Sequence, residues 1–234
     1  MFIDAGFDGG NIEVVSISDQ AEIFLTIRND SNADHAQWFY FRLLGGKNHH
    51  CNFVILNANK ASYLEAWPDG SVVASYDGKD WFRILTKFDG TQLTFAHDCP
   101  SDTLFVALSP PYPLQRHHDL ICRALTSEHC NLATTIPSVE KRGIEVLQIG
   151  SQDNAAPKVW VIARQHPGET MSEWFMEGLI DRLIDPLDQT SANLRSKCTF
   201  YLIPNMNPDG SIAGNLRTNA AGVDLNREVA GPSC

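Results

Sequence analysis

A histidine and a glutamate three residues apart, His166 and Glu169, enclose a Pro167-Gly168 turn. An imidazole nitrogen and a carboxylate at that separation can reach one ion, and zinc accepts both ligand types. The pair follows an apolar run, Lys158 to Ala163, and precedes a segment of helical periodicity, Ser172 to Ile184. Reactive groups in α/β proteins gather at such strand ends. The same residues also suit an exposed histidine beside a helix-start glutamate favoured by the helix dipole.

Two further segments carry groups of the same kind. Tyr201 to Gly210 reads as a strand entering the turn-rich loop Asn207-Pro-Asp-Gly210. Gly214 to Arg227 holds Arg217, Arg227, several amides and Asp224. Guanidinium forks grip carboxylates through two parallel hydrogen bonds, so Asn226 and Arg227 suit a substrate carboxylate. Asp224 suits the second ring N–H of a metal-bound histidine. A loop salt-bridged to itself would use these residues equally well.

The elements that must position these groups differ between the two halves of the chain. The first 110 residues alternate with a period of two, as in Asn11 to Ser18, Glu22 to Arg28, Trp38 to Leu44 and Asn52 to Asn57. Ser71 to Tyr76, Trp81 to Thr86, Gln92 to Ala96 and Thr103 to Leu108 continue the pattern. Turn signals separate them, among them Arg28-Asn-Asp-Ser31, Gly45-Gly46, Pro68-Asp-Gly70 and Asp77-Gly78. Short strands at such regular spacing predict an antiparallel β-sandwich or barrel. Ser109-Pro-Pro-Tyr-Pro113 then stiffens the backbone and blocks both helix and inner strand. The domain boundary is set there, giving domains 1–113 and 114–234. Beyond it, a helix is predicted over Leu114 to Cys130, with strands at Glu145 to Gly150, Lys158 to Ala163 and Thr199 to Ile203. The helix at Ser172 to Ile184 is predicted to share one apolar face among Phe175, Met176, Leu179, Ile180 and Leu183. Strand, helix and strand in this order predict an α/β unit.

Composition narrows the setting. The 234 residues are 43% hydrophobic and 20% charged, ordinary values for a globular protein. A net charge of -10 opposes binding to phosphate backbones, so no nucleic-acid partner is expected. No apolar run is long enough to span a bilayer, and Met1 to Gly10 lacks the basic start and apolar core of a signal peptide. Six scattered cysteines without a CxxC pair read as reduced thiols of a cytoplasmic protein. Oligomeric state is not legible.

Together, His166-Pro-Gly-Glu169, Asn207-Pro-Asp-Gly210, Gly214-Asn-Leu-Arg217 and Gly222-Val-Asp-Leu-Asn-Arg227 resemble the M14 zinc metallocarboxypeptidases, and best the cytosolic carboxypeptidase subfamily. That subfamily also carries an N-terminal β-sandwich with an aromatic segment like Trp38-Phe-Tyr-Phe-Arg42 and a link like Pro110-Pro-Tyr-Pro113. The resemblance implies a mixed-sheet catalytic domain and Zn2+ as cofactor. His166 and Glu169 would be two of three zinc ligands, and Asp224 would orient His166. Arg217 would stabilise the oxyanion, while Asn226 and Arg227 would hold the C-terminal carboxylate of a peptide or protein substrate. The reaction would be zinc-assisted hydrolysis of the last peptide bond.

The third zinc ligand of the family, a histidine, and its catalytic glutamate lie downstream of the motif ending at Arg227. Glu228 to Cys234 contains no histidine. The chain is therefore expected to be a truncated form, with an incomplete α/β domain and little or no activity of its own. The remaining histidines, His35, His49, His50, His97, His117, His118 and His129, are expected at the surface rather than on a metal. Two other readings use the same residues. One is an aspartoacylase-like zinc deacylase, which shares the His-x-x-Glu pair and the Asp-x-Asn-Arg motif. The other is a non-catalytic protein that presents a carboxylate or peptide pocket.

Overall fold

The alternation of the first half becomes ten short strands in the computed structural model of the chain, which describes residues 1–68 and 70–227. These are β1 (Phe2–Asp4), β2 (Glu13–Ile17), β3 (Glu22–Thr26), β4 (Tyr40–Leu44), β5 (His50–Ile55), β6 (Ser71–Ser75), β7 (Phe82–Leu85), β8 (Lys87–Phe88), β9 (Leu93–Asp98) and β10 (Thr103–Ala107). They form two sheets, ordered β1-β4-β10-β6-β7 and β2-β3-β5-β9-β8. Phe41, Leu43, Leu104 and Val106 of the first share one core with Ile23, Leu25, Phe53 and Ile55 of the second. Asp69 of the Pro68–Gly70 turn and the segment 228–234 lie outside the described residues.

The expectation of a wholly antiparallel arrangement fails at one ladder. Strands β3 and β5 pair in parallel, from Glu22 opposite Asn52 to Leu25 opposite Ile55. The chain between them crosses to the other sheet as β4 and returns, and parallel neighbours need a crossover of this length.

The second half contributes α1 (Leu114–Leu125), β11 (Cys130–Pro137), β12 (Gly143–Gly150), β13 (Lys158–Ile162), α2 (Thr170–Ile184), α3 (Gln189–Lys197), β14 (Thr199–Ile203) and α4 (Pro208–Ala213). Its sheet is ordered β11-β12-β14-β13, with β13 and β14 parallel and the other pairs antiparallel. Leu120 of α1, Leu147 and Ile149 of β12, Met176 and Ile180 of α2 and Leu202 of β14 form its core. Helix α1 stops at Leu125, short of the expected Cys130, because Cys130 opens the hairpin strand β11. That strand is exposed along nearly its whole length, so no apolar alternation announced it. Phe175 also departs from expectation and is 61% exposed, whereas Met176, Ile180 and Leu183 are buried.

The two halves meet at the start of α1. Pro113 occupies its cap position and has no side-chain acceptor, so the Leu114 N–H donates instead to Asp8 Oδ2 at 2.6 Å. An acceptor from the first half thus satisfies a helix N-terminus of the second.

Beneath the His166 turn lies a buried charge cluster. Glu173 is fully buried in the first turn of α2. Its Oε1 faces His117 Nδ1 at 2.7 Å, and its Oε2 accepts from Arg164 Nη1 at 2.8 Å. His117, expected at the surface, is 3% exposed and also meets Glu145 through Nε2 at 3.2 Å. Its place on the inner face of α1 beside two carboxylates is the reason. Burial pulls its pKa down, but hydrogen bonds and charge from Glu145 and Glu173 outweigh that and raise it to about 9.

A folded pKa of about 9, above the ordinary 6.5, means that the charged imidazole stabilises the fold fully below the lower value. This stability is lost as pH rises through the higher one. His117→Gln should therefore destabilise the protein most at mildly acidic pH, by about 3–5 kcal/mol for a broken buried ion pair. Thermal melts of the two proteins should converge as pH approaches the folded value. A melting difference independent of pH would show that the imidazole is neutral.

Candidate active site

Strand β13 ends at Ile162, and the Ala163 N–H still donates to Ile203 of β14. The chain then turns sharply. Arg164 adopts a left-handed conformation, φ 49°, which L-residues with a bulky side chain seldom adopt. Its side chain holds the turn from within: Nε donates to Pro167 O at 3.0 Å, and Nη1 donates to Tyr112 O at 2.7 Å as well as to Glu173. Its backbone N–H donates to Ser172 Oγ at 2.9 Å. The turn closes on α2, with Glu169 at the cap position.

This geometry brings His166 and Glu169 together. His166 Nδ1 lies 2.9 Å from Glu169 Oε1. The other ring nitrogen, Nε2, lies 3.2 Å from Asp224 Oδ1. Asp224 Oδ2 accepts from Arg217 Nε at 2.6 Å, and Oδ1 also accepts from the Asn226 N–H at 2.9 Å. Glu169, His166, Asp224 and Arg217 thus form a continuous polar chain across three segments. Burial raises the Asp224 carboxyl, but hydrogen bonds from Arg217 and the Asn226 amide, with the Arg217 charge, hold it below the usual carboxylate range. His166 is 7% exposed, whereas the Glu169 carboxylate is open to solvent.

Close backbone contacts set this convergence. The Gly168 N–H donates to Leu216 O at 2.9 Å, tying the histidine turn to the arginine loop. At Gly210 a Cβ would stand 2.5 Å from both Pro167 Cγ and Thr218 O, so a side chain there would push the three segments apart. The Asn207-Pro-Asp-Gly210 loop starts α4, with Asn207 Oδ1 accepting the Gly210 N–H at 3.0 Å. Asp209, 2% exposed, anchors the same loop to the β11–β12 hairpin through Ser138 Oγ, the Glu140 N–H and Arg142 Nη1. This loop therefore positions its neighbours.

The side chains of Asn226 and Arg227 stand apart from the cluster. Both are exposed, and among the described residues the Arg227 guanidinium donates only to the Asn226 carbonyl, at 3.4 Å. Glu173, Arg164 and Asn205, whose Nδ2 donates to Glu173 Oε2 at 3.3 Å, escaped the sequence reading. A signal existed for Glu173: it stands three and seven residues before Met176 and Ile180, on the buried face of α2.

The donor set at His166 fits zinc in kind. An imidazole nitrogen and a carboxylate oxygen face each other, and a second carboxylate occupies the ring nitrogen on the far side, as is usual behind metal-bound histidines. Among the described residues, no group of three or more His, Cys, Asp or Glu side chains is placed to hold a metal ion.

Residues 3–108 match the family described as cytosolic carboxypeptidase N-terminal domain, and residues 121–229 match zinc carboxypeptidase of the M14 peptidases. A Zymomonas mobilis protein of uncharacterised function is 42% identical over 231 residues, covering 99% of this chain and 60% of that protein. Human cytosolic carboxypeptidase 2 is 32% identical over 267 residues, covering 97% of this chain and 28% of that protein. A Pseudomonas aeruginosa metallo-carboxypeptidase, solved in complex with (2-guanidinoethylmercapto)succinic acid, superposes with a TM-score of 0.94 at 45% identity, covering 97% of this chain and 61% of that one. The chain spans less than two thirds of the length of each of these relatives. With both matches in register along the chain, and with the fold shared, the protein belongs to the M14 zinc carboxypeptidase family, in the form that carries a cytosolic carboxypeptidase N-terminal domain.

Proposed function

We propose that this chain supplies the zinc-and-arginine part of a carboxypeptidase active site that acts on the C-terminal residue of peptides or proteins in the cytoplasm. The division is into an N-terminal sandwich, 1–113, and the beginning of the catalytic domain, 114–234. The observation that carries the reading is Asp224, which joins His166 at 3.2 Å to Arg217 at 2.6 Å.

In this reading His166 and Glu169 hold zinc. When bound, zinc polarises the scissile carbonyl and acidifies a water molecule. The chain's own residues do the rest. Asp224, kept ionised by Arg217, accepts the Nε2–H of His166 and so leaves the Nδ1 lone pair toward Glu169. Arg217 spends Nε on Asp224 and Nη1 on the Tyr63 hydroxyl. Among the described residues its Nη2 has no protein partner, so a donor remains for a developing oxyanion, the charge that preorganised groups stabilise best. Asn226 and Arg227, exposed at the rim, receive the terminal carboxylate of the substrate. An internal peptide bond offers no such charge for the guanidinium to pair with.

Two protein ligands hold zinc less firmly than three, so the 234-residue chain should bind zinc weakly and show little peptidase activity by itself. Asp224→Ala should weaken zinc binding by about 10–100-fold, the usual cost of removing the partner behind a metal-bound histidine, and His166→Ala should abolish it. Zinc competition against a chelating dye reads both. Tight stoichiometric zinc in His166→Ala would refute the site.

A short peptide with a free C-terminal carboxylate should bind at least about tenfold better than its C-terminal amide, as expected for a charged hydrogen-bonded pair. Arg227→Ala should erase the preference, as read by NMR titration. Equal binding of the two peptides, or hydrolysis of N-acyl amino acids instead, would reject the carboxypeptidase reading.

A further inference from the structure

The loop that carries Arg217 has no regular secondary structure between the end of α4 at Ala213 and Arg227. Something outside it must fix its shape. The N-terminal domain does so through Asp30, a carboxylate only 4% exposed in the turn after β3. Asp30 Oδ1 accepts the Leu216 N–H at 2.5 Å. Oδ2 accepts the Arg217 N–H at 2.7 Å, the Thr218 N–H at 2.8 Å and the Thr218 hydroxyl at 3.1 Å. Three successive backbone N–H groups aimed at one point make a concavity that wants an anion, and here the anion is a side chain of the other domain.

Neighbouring contacts hold the same seam. The Ser31 N–H and hydroxyl donate to Asn215 Oδ1, and Asn11 Nδ2 donates to Gly214 O at 2.8 Å. The guanidinium of Arg217 is itself touched from this side. Its Nη1 donates to the Tyr63 hydroxyl, and its carbon lies 5.9 Å from the Tyr63 ring centre. Gln37, 3% exposed, clamps the Tyr63 backbone by accepting its N–H at 2.9 Å and donating to its carbonyl at 3.1 Å.

Arg217 is therefore fixed at three points: its backbone by Asp30, one face of its guanidinium by Asp224, and one Nη by Tyr63. Two of the three come from outside the catalytic domain. Resting on the reading of Arg217 as the substrate-facing arginine, we propose that the N-terminal domain is a working part of the active site. Asp30 is the positioning residue for the 216–218 loop, and Tyr63 aims the Arg217 guanidinium. A bond between domains that served cohesion alone would not need to converge on this one side chain from two separate segments.

The test reads Arg217 directly, by NMR of arginine Nε–Hε groups in the full chain, with Arg217→Lys to assign the signal. Arg164, whose Nε donates to Pro167 within the catalytic half, reports in the same spectrum whether that half is folded. In Asp30→Asn an NH2 group faces backbone donors where Oδ2 accepted three hydrogen bonds. The Arg217 signal should move toward that of free arginine while the Arg164 signal stays. Tyr63→Phe, which removes one exposed hydroxyl, should speed rotation of the Arg217 guanidinium about its Nε–Cζ bond.

An unmoved Arg217 signal in Asp30→Asn overturns the proposal. If Asp30→Asn loses both signals, Tyr63→Phe decides: faster rotation supports the proposal, and unchanged rotation overturns it. The free-carboxylate peptide is held by Asn226 and Arg227 rather than by Arg217, so its binding to the wild-type chain tests the function proposed above independently. Failure of that peptide to bind the wild-type chain would count against the function proposed above, while the movement of Arg217 would still report on the positioning.

Discussion

A carboxylate with no access to water must be met by opposite charge, and this condition at Glu173 organises the second half of the molecule. His117 comes to it from α1 and Arg164 from the end of β13. To reach Glu173, Arg164 takes a left-handed backbone conformation, and that reversal throws the chain into the turn bearing His166 and Glu169. The same arginine bonds the carbonyls of Pro167 and Tyr112, so the interdomain link and the turn are held from one guanidinium. Removing Glu173 would leave Arg164 buried without a carboxylate partner, and removing either cation would leave Glu173 with a single counter-charge. The candidate metal ligands owe their place to charges that never touch a metal.

A second carboxylate, Asp224, performs the equivalent task at the surface of the site. It stands between an imidazole and a guanidinium and keeps its own charge because Arg217 and the Asn226 amide stabilise the ionised form more than burial opposes it. The two carboxylates differ in consequence. Glu173 fixes backbone, whereas Asp224 fixes the relative aim of two side chains with complementary chemistry. Glycine at 168 and 210 allows the three segments concerned to approach closely enough for these bonds to form.

Much of the architecture was legible in the sequence, and the misses have physical causes. Strands whose apolar residues face the shared core, such as β3 and β5, announce themselves by alternation. Strand β11 does not, because almost all of it is exposed and its pairing with β12 rests on backbone hydrogen bonds that carry no side-chain pattern. The parallel pairing of β3 and β5 was hidden for another reason: register and direction depend on where the intervening chain travels. His117 was misplaced at the surface because a histidine on a helix gives no sign of carboxylates 28 and 56 residues away.

The order and spacing of His166, Glu169, Arg217, Asp224 and Arg227 were fixed by the chain alone, since motif chemistry depends on residue type and on local turns. So were the change from period two to helical periodicity near Pro113 and the acidic balance of the whole. Only the folded structure decided which of these groups meet. It joined Asp224 to both His166 and Arg217, left the Arg227 side chain exposed and apart from them, and brought Asp30 to amides 186 to 188 residues along the chain. Contacts at such separations depend on the summed packing of two domains, a property of the whole chain that no local run of residues encodes.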